Sequence, residues 1–233
     1  MGLLWSLLIV DPLIAISTAI CATISMLGPV PVKSKMARIW GRSLIAIAGV
    51  RLSAEGLERL PKGTAYVLTP NHLSYMDTPA LLSTIPMEFR FLAKEELFKI
   101  WFLGWHLHKA GHVSVPLEDP RGALKTLSKA AQAMQENGLS LLVFPEGGRS
   151  DTGELQEFQE GAAYLAIKAQ APVVPVALLG TREVLPMHGK KFTPGPVRVV
   201  FGEPRPTTGM TIKDRTELTA TIRDRIVEML KKS

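Results

Sequence analysis

Apolar positions follow two regimes along this chain. From Leu3 to Leu27 they run almost unbroken, LLWSLLIVDPLIAISTAICATISML, and Asp11 is the single charge among them. From residue 50 onward, short β-type runs alternate with stretches of helical period. The strand candidates are 51–55, 65–69, 89–93, 111–115, 140–144, 173–178 and 197–201. The helix candidates are 77–83, 100–109, 121–136, 161–170 and 213–231, the third stopped by Asn137-Gly138. Such alternation predicts an α/β fold, a mostly parallel sheet flanked by helices, preceded by an N-terminal apolar helical membrane anchor.

Pro12 is expected to divide the apolar segment, because proline disfavours helix in the residue before it and suits the first turn of a new one. The part after it, 13–27, would be about 22 Å long as a helix, short of a ~30 Å hydrocarbon core. Two arrangements follow: one kinked span of about 25 residues, or two short helices dipping into one leaflet. A cleaved signal peptide fits poorly, since no Lys or Arg precedes the run. Lys33, Lys35, Arg38, Arg42 and Arg51 then arrive with no acidic residue between them. Beside an apolar anchor, this predicts contact with anionic headgroups and an active site on the cytoplasmic face of the membrane. A solvated basic helix face is the plainer alternative.

Composition changes the picture little. At 233 residues the chain is one domain with an appendage, long enough for a core without staples. A lone Cys21 excludes a disulfide framework or zinc ribbon. The net charge of +6 suits anionic partners without choosing among nucleic acid, lipid and phosphorylated substrates. No nucleic-acid recognition motif accompanies the basic cluster, so nucleic acid is not expected. His106, His108 and His112 lack carboxylate or thiolate companions at ligand spacing, so no metal is expected. Trp101, Phe102, Leu103, Trp105 and Leu107 form an apolar patch that reads as helix core or as a membrane-interface belt.

Chemistry concentrates after two strand candidates. Asn71-His72 follows the first, and Asp77 stands five residues beyond the histidine. A carboxylate folded back from a helix start would fix the imidazole tautomer and leave its other nitrogen to take a proton. No nucleophile accompanies the pair, so a substrate hydroxyl would have to serve. The same spacing also suits a helix cap beside an ordinary loop histidine. The second block, Phe144-Pro145-Glu146-Gly147-Gly148-Arg149-Ser150, follows strand 140–144. Its glycines allow close backbone approach and Arg149 can grip a phosphate; a plain turn with a surface arginine is the alternative.

Taken together these blocks carry a resemblance. Asn71-His72-x4-Asp77, Lys94-Glu95-Glu96-Leu97-Phe98 with Gly104 and Gly111, Phe144 to Ser150, and Val174-Pro175-Val176-Ala177-Leu178 occur in an order similar to the 1-acylglycerol-3-phosphate acyltransferase family. The resemblance covers roughly residues 40–205 and implies a division into an anchor, 1–32, and an acyltransferase domain, 33–233. It implies transfer of a fatty acyl group from acyl-CoA or acyl-carrier protein, as donor substrate rather than cofactor, to the free hydroxyl of lysophosphatidic acid. His72 would be the base and Asp77 its orienting partner. Asn71, Lys94, Glu146, Gly147 and Arg149 would bind substrate, Arg149 the acceptor phosphate and Lys94 the acceptor or the thioester oxyanion. The bilayer would hold both acyl chains, each methylene costing ~0.8 kcal/mol to lift into water. The chain departs from the pattern at Pro116-Leu117, where the family often has Asp-Arg, at Gly148, where it usually has Thr, and at Glu160, where a lysine is common. Those departures favour, as an alternative, another lysolipid acceptor; a non-catalytic lipid-binding membrane protein is a rival of a different class, against which the intact His72/Asp77 pair argues.

Overall fold

A computed structural model describes residues 3–232. The N-terminal apolar run forms one helical stretch: α1 (Leu3–Trp5) passes through a π-helical turn, Ser6–Val10, into α2 (Asp11–Leu27). Pro12 therefore does not divide the segment. It occupies the first turn of α2, and the turn before it is closed by Asp11 N–H donating to Ser6 O. That wider turn absorbs the hydrogen bond proline cannot make. The return leg is α3 (Val30–Ile47), so the helical hairpin is α2 with α3 and the boundary expected at residue 32 falls inside its second helix.

The 25-residue stretch is long and apolar enough to cross a membrane, and Leu4, Leu8, Ile16, Ile20 and Leu27 are exposed along it. Yet both ends rest on the rest of the chain. Ser6 Oγ accepts from Phe192 N at 3.1 Å, Trp40 Nε1 donates to Thr18 Oγ1 at 2.9 Å, and Ser25 Oγ meets His106 Nδ1 at 3.1 Å. Val10 is fully buried in the core. The helix lies along the domain instead of standing away from it.

The basic cluster divides. Lys33 is buried, and its ammonium donates to Ser25 O and Gly28 O, closing the C-terminal end of α2 where the helix dipole favours a cation. Arg38 donates to Pro86 O and Met87 O and pairs with Glu88. Lys35, Arg42 and Arg51 remain exposed. The expectation that all five seek headgroups is therefore corrected for Lys33 and Arg38, whose charges are spent inside the fold.

Beyond the hairpin the chain runs β1 (Arg51–Glu55), β2 (Val67–Pro70), α4 (Asp77–Thr84), β3 (Phe89–Lys94), α5 (Glu95–Lys99), α6 (Trp101–Lys109) and β4 (Val113–Val115). It continues through α7 (Pro120–Asn137), β5 (Ser140–Leu142), α8 (Gly161–Ala169), β6 (Val173–Leu179), α9 (Thr181–Val184), β7 (Pro196–Phe201) and α10 (Arg215–Lys231). The seven strands are ordered β1-β7-β6-β2-β5-β3-β4, parallel throughout except for β6 with β7. Successive strand residues point to opposite faces. Leu68, Leu142 and Val174 pack with Ile45 and Leu81 on one face, while Val67, Leu141 and Val173 pack with Leu127, Leu165 and Ile222 on the other. With both faces covered, the central strands are mostly apolar, and their polar members Thr69, Arg90 and Ser140 are buried. Because β2, β5 and β3 are neighbours running in one direction, their C-terminal ends open side by side along one edge, where α/β sheets bind ligands.

Replacing Lys33 by Met should destabilise the protein by about 1.5–3 kcal/mol, the usual worth of hydrogen bonds to a charged group. Lys35→Met, exposed on the same helix, should melt like the parent; equal melting curves for the two variants in detergent would contradict the buried cap.

Candidate active site

His72 follows β2 directly, and its Nδ1 lies 2.8 Å from Asp77 Oδ2. The same oxygen accepts from Leu73 N at 2.7 Å and Ser74 N at 2.9 Å, so it is surrounded by donors. A carboxylate in that position requires the proton on Nδ1, which leaves Nε2 with a lone pair. Asp77 is fully buried at the start of α4, where the helix N-terminus favours negative charge. Its Oδ1 has no hydrogen-bond partner. The imidazole stacks on Phe144, ring centroids 3.6 Å apart and planes 16° from parallel. Burial pushes the His72 pKa below its ordinary 6.5, the bond and charge of Asp77 push it back up, and Arg149 and Lys94 add to the lowering. His72 is thus a neutral base at neutral pH.

The loop after β5 is tied to this one. Glu146 Oε1 accepts from His72 N at 2.6 Å, and Oε2 accepts from Gln156 N at 2.9 Å. Ser150 N donates to His72 O at 2.9 Å. Burial raises the Glu146 pKa, opposed by the hydrogen bonds from Gln156 and His72. Gly147 has φ +72°, the left-handed region open to glycine, and Gln156 Nε2 donates to Gly148 O at 3.0 Å. Arg149 donates from Nε to Ser74 O at 3.2 Å and lies over the Tyr75 ring, 4.6 Å from its centre. Burial pushes its pKa down, offset by Asp77 and Tyr75. Among the described residues, no protein acceptor takes its terminal nitrogens. Lys94, at the end of β3, brings Nζ to 3.6 Å from where a Cβ on Gly148 would stand. One base and two cations therefore converge from three adjacent strand ends.

The acyltransferase family pattern matches residues 51–179, more than half of the chain and all of these strand ends. The chain belongs to the acyltransferase family. It is 34% identical over 171 residues to a chloroplastic 1-acyl-sn-glycerol-3-phosphate acyltransferase of Arabidopsis thaliana, covering 72% of this chain and 47% of the relative. It is 30% identical over 166 residues to the human 1-acyl-sn-glycerol-3-phosphate acyltransferase alpha, covering 71% and 59%. The chain thus spans about half the length of these curated relatives. The crystal structure of the 1-acyl-sn-glycerophosphate acyltransferase PlsC from Thermotoga maritima superposes with a TM-score of 0.78 at 26% identity, covering 99% of this chain and 93% of that one.

Set beside that family membership, the residues expected at the site separate into two groups. The structure brings His72, Asp77, Lys94 and Arg149 together. Asn71, Glu146 and Gly147 do not offer their groups to a ligand. The Asn71 amide donates to Leu178 O and accepts from Leu178 N, extending the β2–β6 pairing past its last backbone bond. Glu146 holds the His72 backbone, and Gly147 makes the turn. The polar groups of Asn71 and Glu146 are thus engaged within the chain itself. Glu160 is spent on Arg215 and Thr216 at the start of α10, each at 2.6 Å. Sequence reading missed Gln156 and the shelf made by Phe144; the phenylalanine lies inside a quoted block, whereas nothing in the polar stretch around Gln156 marks it.

Arg149→Gln should raise the His72 pKa, because it removes a cation that opposes imidazolium. Histidine-selective NMR titration should show that upward move; an unchanged or lower pKa would contradict the electrostatics. Gly147→Ala should cost roughly 1–2 kcal/mol of stability, the penalty of a left-handed conformation, readable by thermal unfolding.

Proposed function

We propose that the protein transfers an acyl group from an acyl-CoA or acyl-carrier-protein thioester to the free hydroxyl of 1-acylglycerol-3-phosphate, forming phosphatidic acid. The observation that carries this reading is the His72–Asp77 bond at 2.8 Å, with Arg149 and Lys94 facing the same imidazole. His72 Nε2 takes the hydroxyl proton as the acceptor oxygen attacks the thioester carbonyl. Imidazolium forms beside buried Asp77, whose charge it compensates. Collapse of the tetrahedral intermediate breaks the C–S bond, and the departing thiolate recovers the proton from His72. Lys94 and Arg149 supply the positive charge for the acceptor phosphate, and Lys94 is also placed to meet the developing oxyanion. The relatives in plant and human carry the name of this reaction, and the Thermotoga neighbour is described as acting on lysophosphatidic acid.

The exposed apolar side of α2 fits burial in a bilayer. Because the helix touches the domain at Ser6, Thr18 and Ser25, lying within one leaflet suits it better than crossing the membrane. That would keep the strand ends on the cytoplasmic face, at the depth where acyl substrates sit. Leu117, standing where the family often has an arginine, is exposed and apolar, which favours a second reading with a less charged lysolipid as acceptor.

Purified protein should be offered labelled acyl-CoA, then acyl-carrier protein, with a panel of lysolipids. His72→Ala should lose about 10²–10⁴-fold in turnover. Transfer to lysophosphatidylcholine in preference to lysophosphatidic acid would overturn the acceptor; undiminished transfer by His72→Ala would overturn the base. The parent kcat/KM, which reports the free enzyme, should fall with a midpoint below an ordinary histidine's 6.5, since the His72 pKa is depressed; a midpoint above 6.5 would contradict it.

A further inference from the structure

The segment α5–α6 is apolar on both sides. Inward, Phe98 and Leu107 are buried, and Gly104 lets α6 close onto α5, because any Cβ there would collide with the Phe98 carbonyl. His108 meets the Phe98 ring edge-on at 4.8 Å. The corner is therefore packed and its outward residues are held in place. Those residues are Leu97, Ile100, Trp101 and Leu103, and Trp101 is 88% exposed. No acidic residue occurs between Leu97 and Leu117; Lys99 pairs with Glu95 at 3.1 Å, and Lys109 is exposed. An indole that open to water serves no core.

This face continues the lipid side of the hairpin. Trp101 is one helical turn before Trp105, which lies under the Lys33 ammonium of α3 at 5.6 Å. Leu103 is one turn before His106, which meets Ser25 of α2. Exposed Ile24 and Leu27 flank Ser25. The apolar surface thus passes from α2 across the Ser25–His106 contact onto α6 without an intervening acidic group. Toward β3 it stops at Glu95 and exposed Glu96, which separate Leu97 from Lys94 of the site.

We propose that Leu97, Ile100, Trp101 and Leu103 form a second membrane contact, inserting at the headgroup–acyl boundary of an anionic bilayer. It rests on the reading of α2 as membrane-embedded. Trp is suited to that depth, with an apolar body and one polar N–H, and exposed Lys109 suits anionic headgroups. Two contacts joined along one face fix the tilt of the domain against the lipid surface.

The test uses the full chain with Cys21→Ala and Trp101→Cys, spin-labelled at the new thiol and bound to phosphatidylethanolamine–phosphatidylglycerol vesicles. The label should become more accessible to oxygen than to a water-soluble nickel chelate, and Trp101→Glu in the parent should weaken vesicle partition roughly tenfold. A label that stays nickel-accessible while the protein sediments with vesicles would overturn this contact and leave the α2 reading intact. Parent protein that fails to sediment would overturn both. Dipolar broadening between labels would assign the face to a second copy of the chain and also overturn the proposal.

Discussion

One buried oxygen organises the site. Asp77 Oδ2 accepts from the His72 ring and from two consecutive backbone N–H groups. Burying a carboxylate unpaired would cost several kcal/mol, so the loop after β2 is wrapped around it. That wrapping shapes the next layer. Ser74 donates to Leu185 O and Arg149 donates to Ser74 O, so the loop after β5 takes its place from the loop after β2. Glu146 answers in the opposite direction by holding the His72 N–H. Asp77 holds its own loop, Glu146 reaches across to it from the loop after β5, and the histidine is locked between the two acids.

The same cations that suit a phosphate also lower the basicity of His72. Burial first, with these cations adding to it, keeps the imidazole neutral. On the proposed reading, a bound phosphate offsets the charge of Lys94 and Arg149, and the imidazole regains affinity for a proton as the acceptor hydroxyl arrives. The field around the base is then set partly by the substrate. Low local dielectric makes such compensation larger than it would be in water.

Local pattern revealed the strands well, since each overlaps a run expected from the sequence, although β1, RLSAE, is largely polar. Strand order was hidden, because it depends on which faces α7, α8 and the hairpin cover. The helix α3 was hidden too. Its basic residues resemble a solvated or headgroup-binding face, and only the packed structure shows Lys33 turned inward to close α2. At the site, residue type announced His72, Asp77 and Arg149. It did not distinguish a side chain that faces substrate from one that faces backbone. Asn71 and Glu146 carry the polar groups a ligand would want, and both are consumed by the chain itself.

The path of α2 along the domain has a consequence for lipid dependence. A helix that crosses a bilayer must match its length to the hydrocarbon thickness, and mismatch is relieved by tilting or by deforming the lipid. A helix tethered at Ser6, Thr18 and Ser25 to one folded body has no such length to match. Laid in a single leaflet, it makes the protein responsive to how tightly lipids pack at the surface and indifferent to how thick the membrane is.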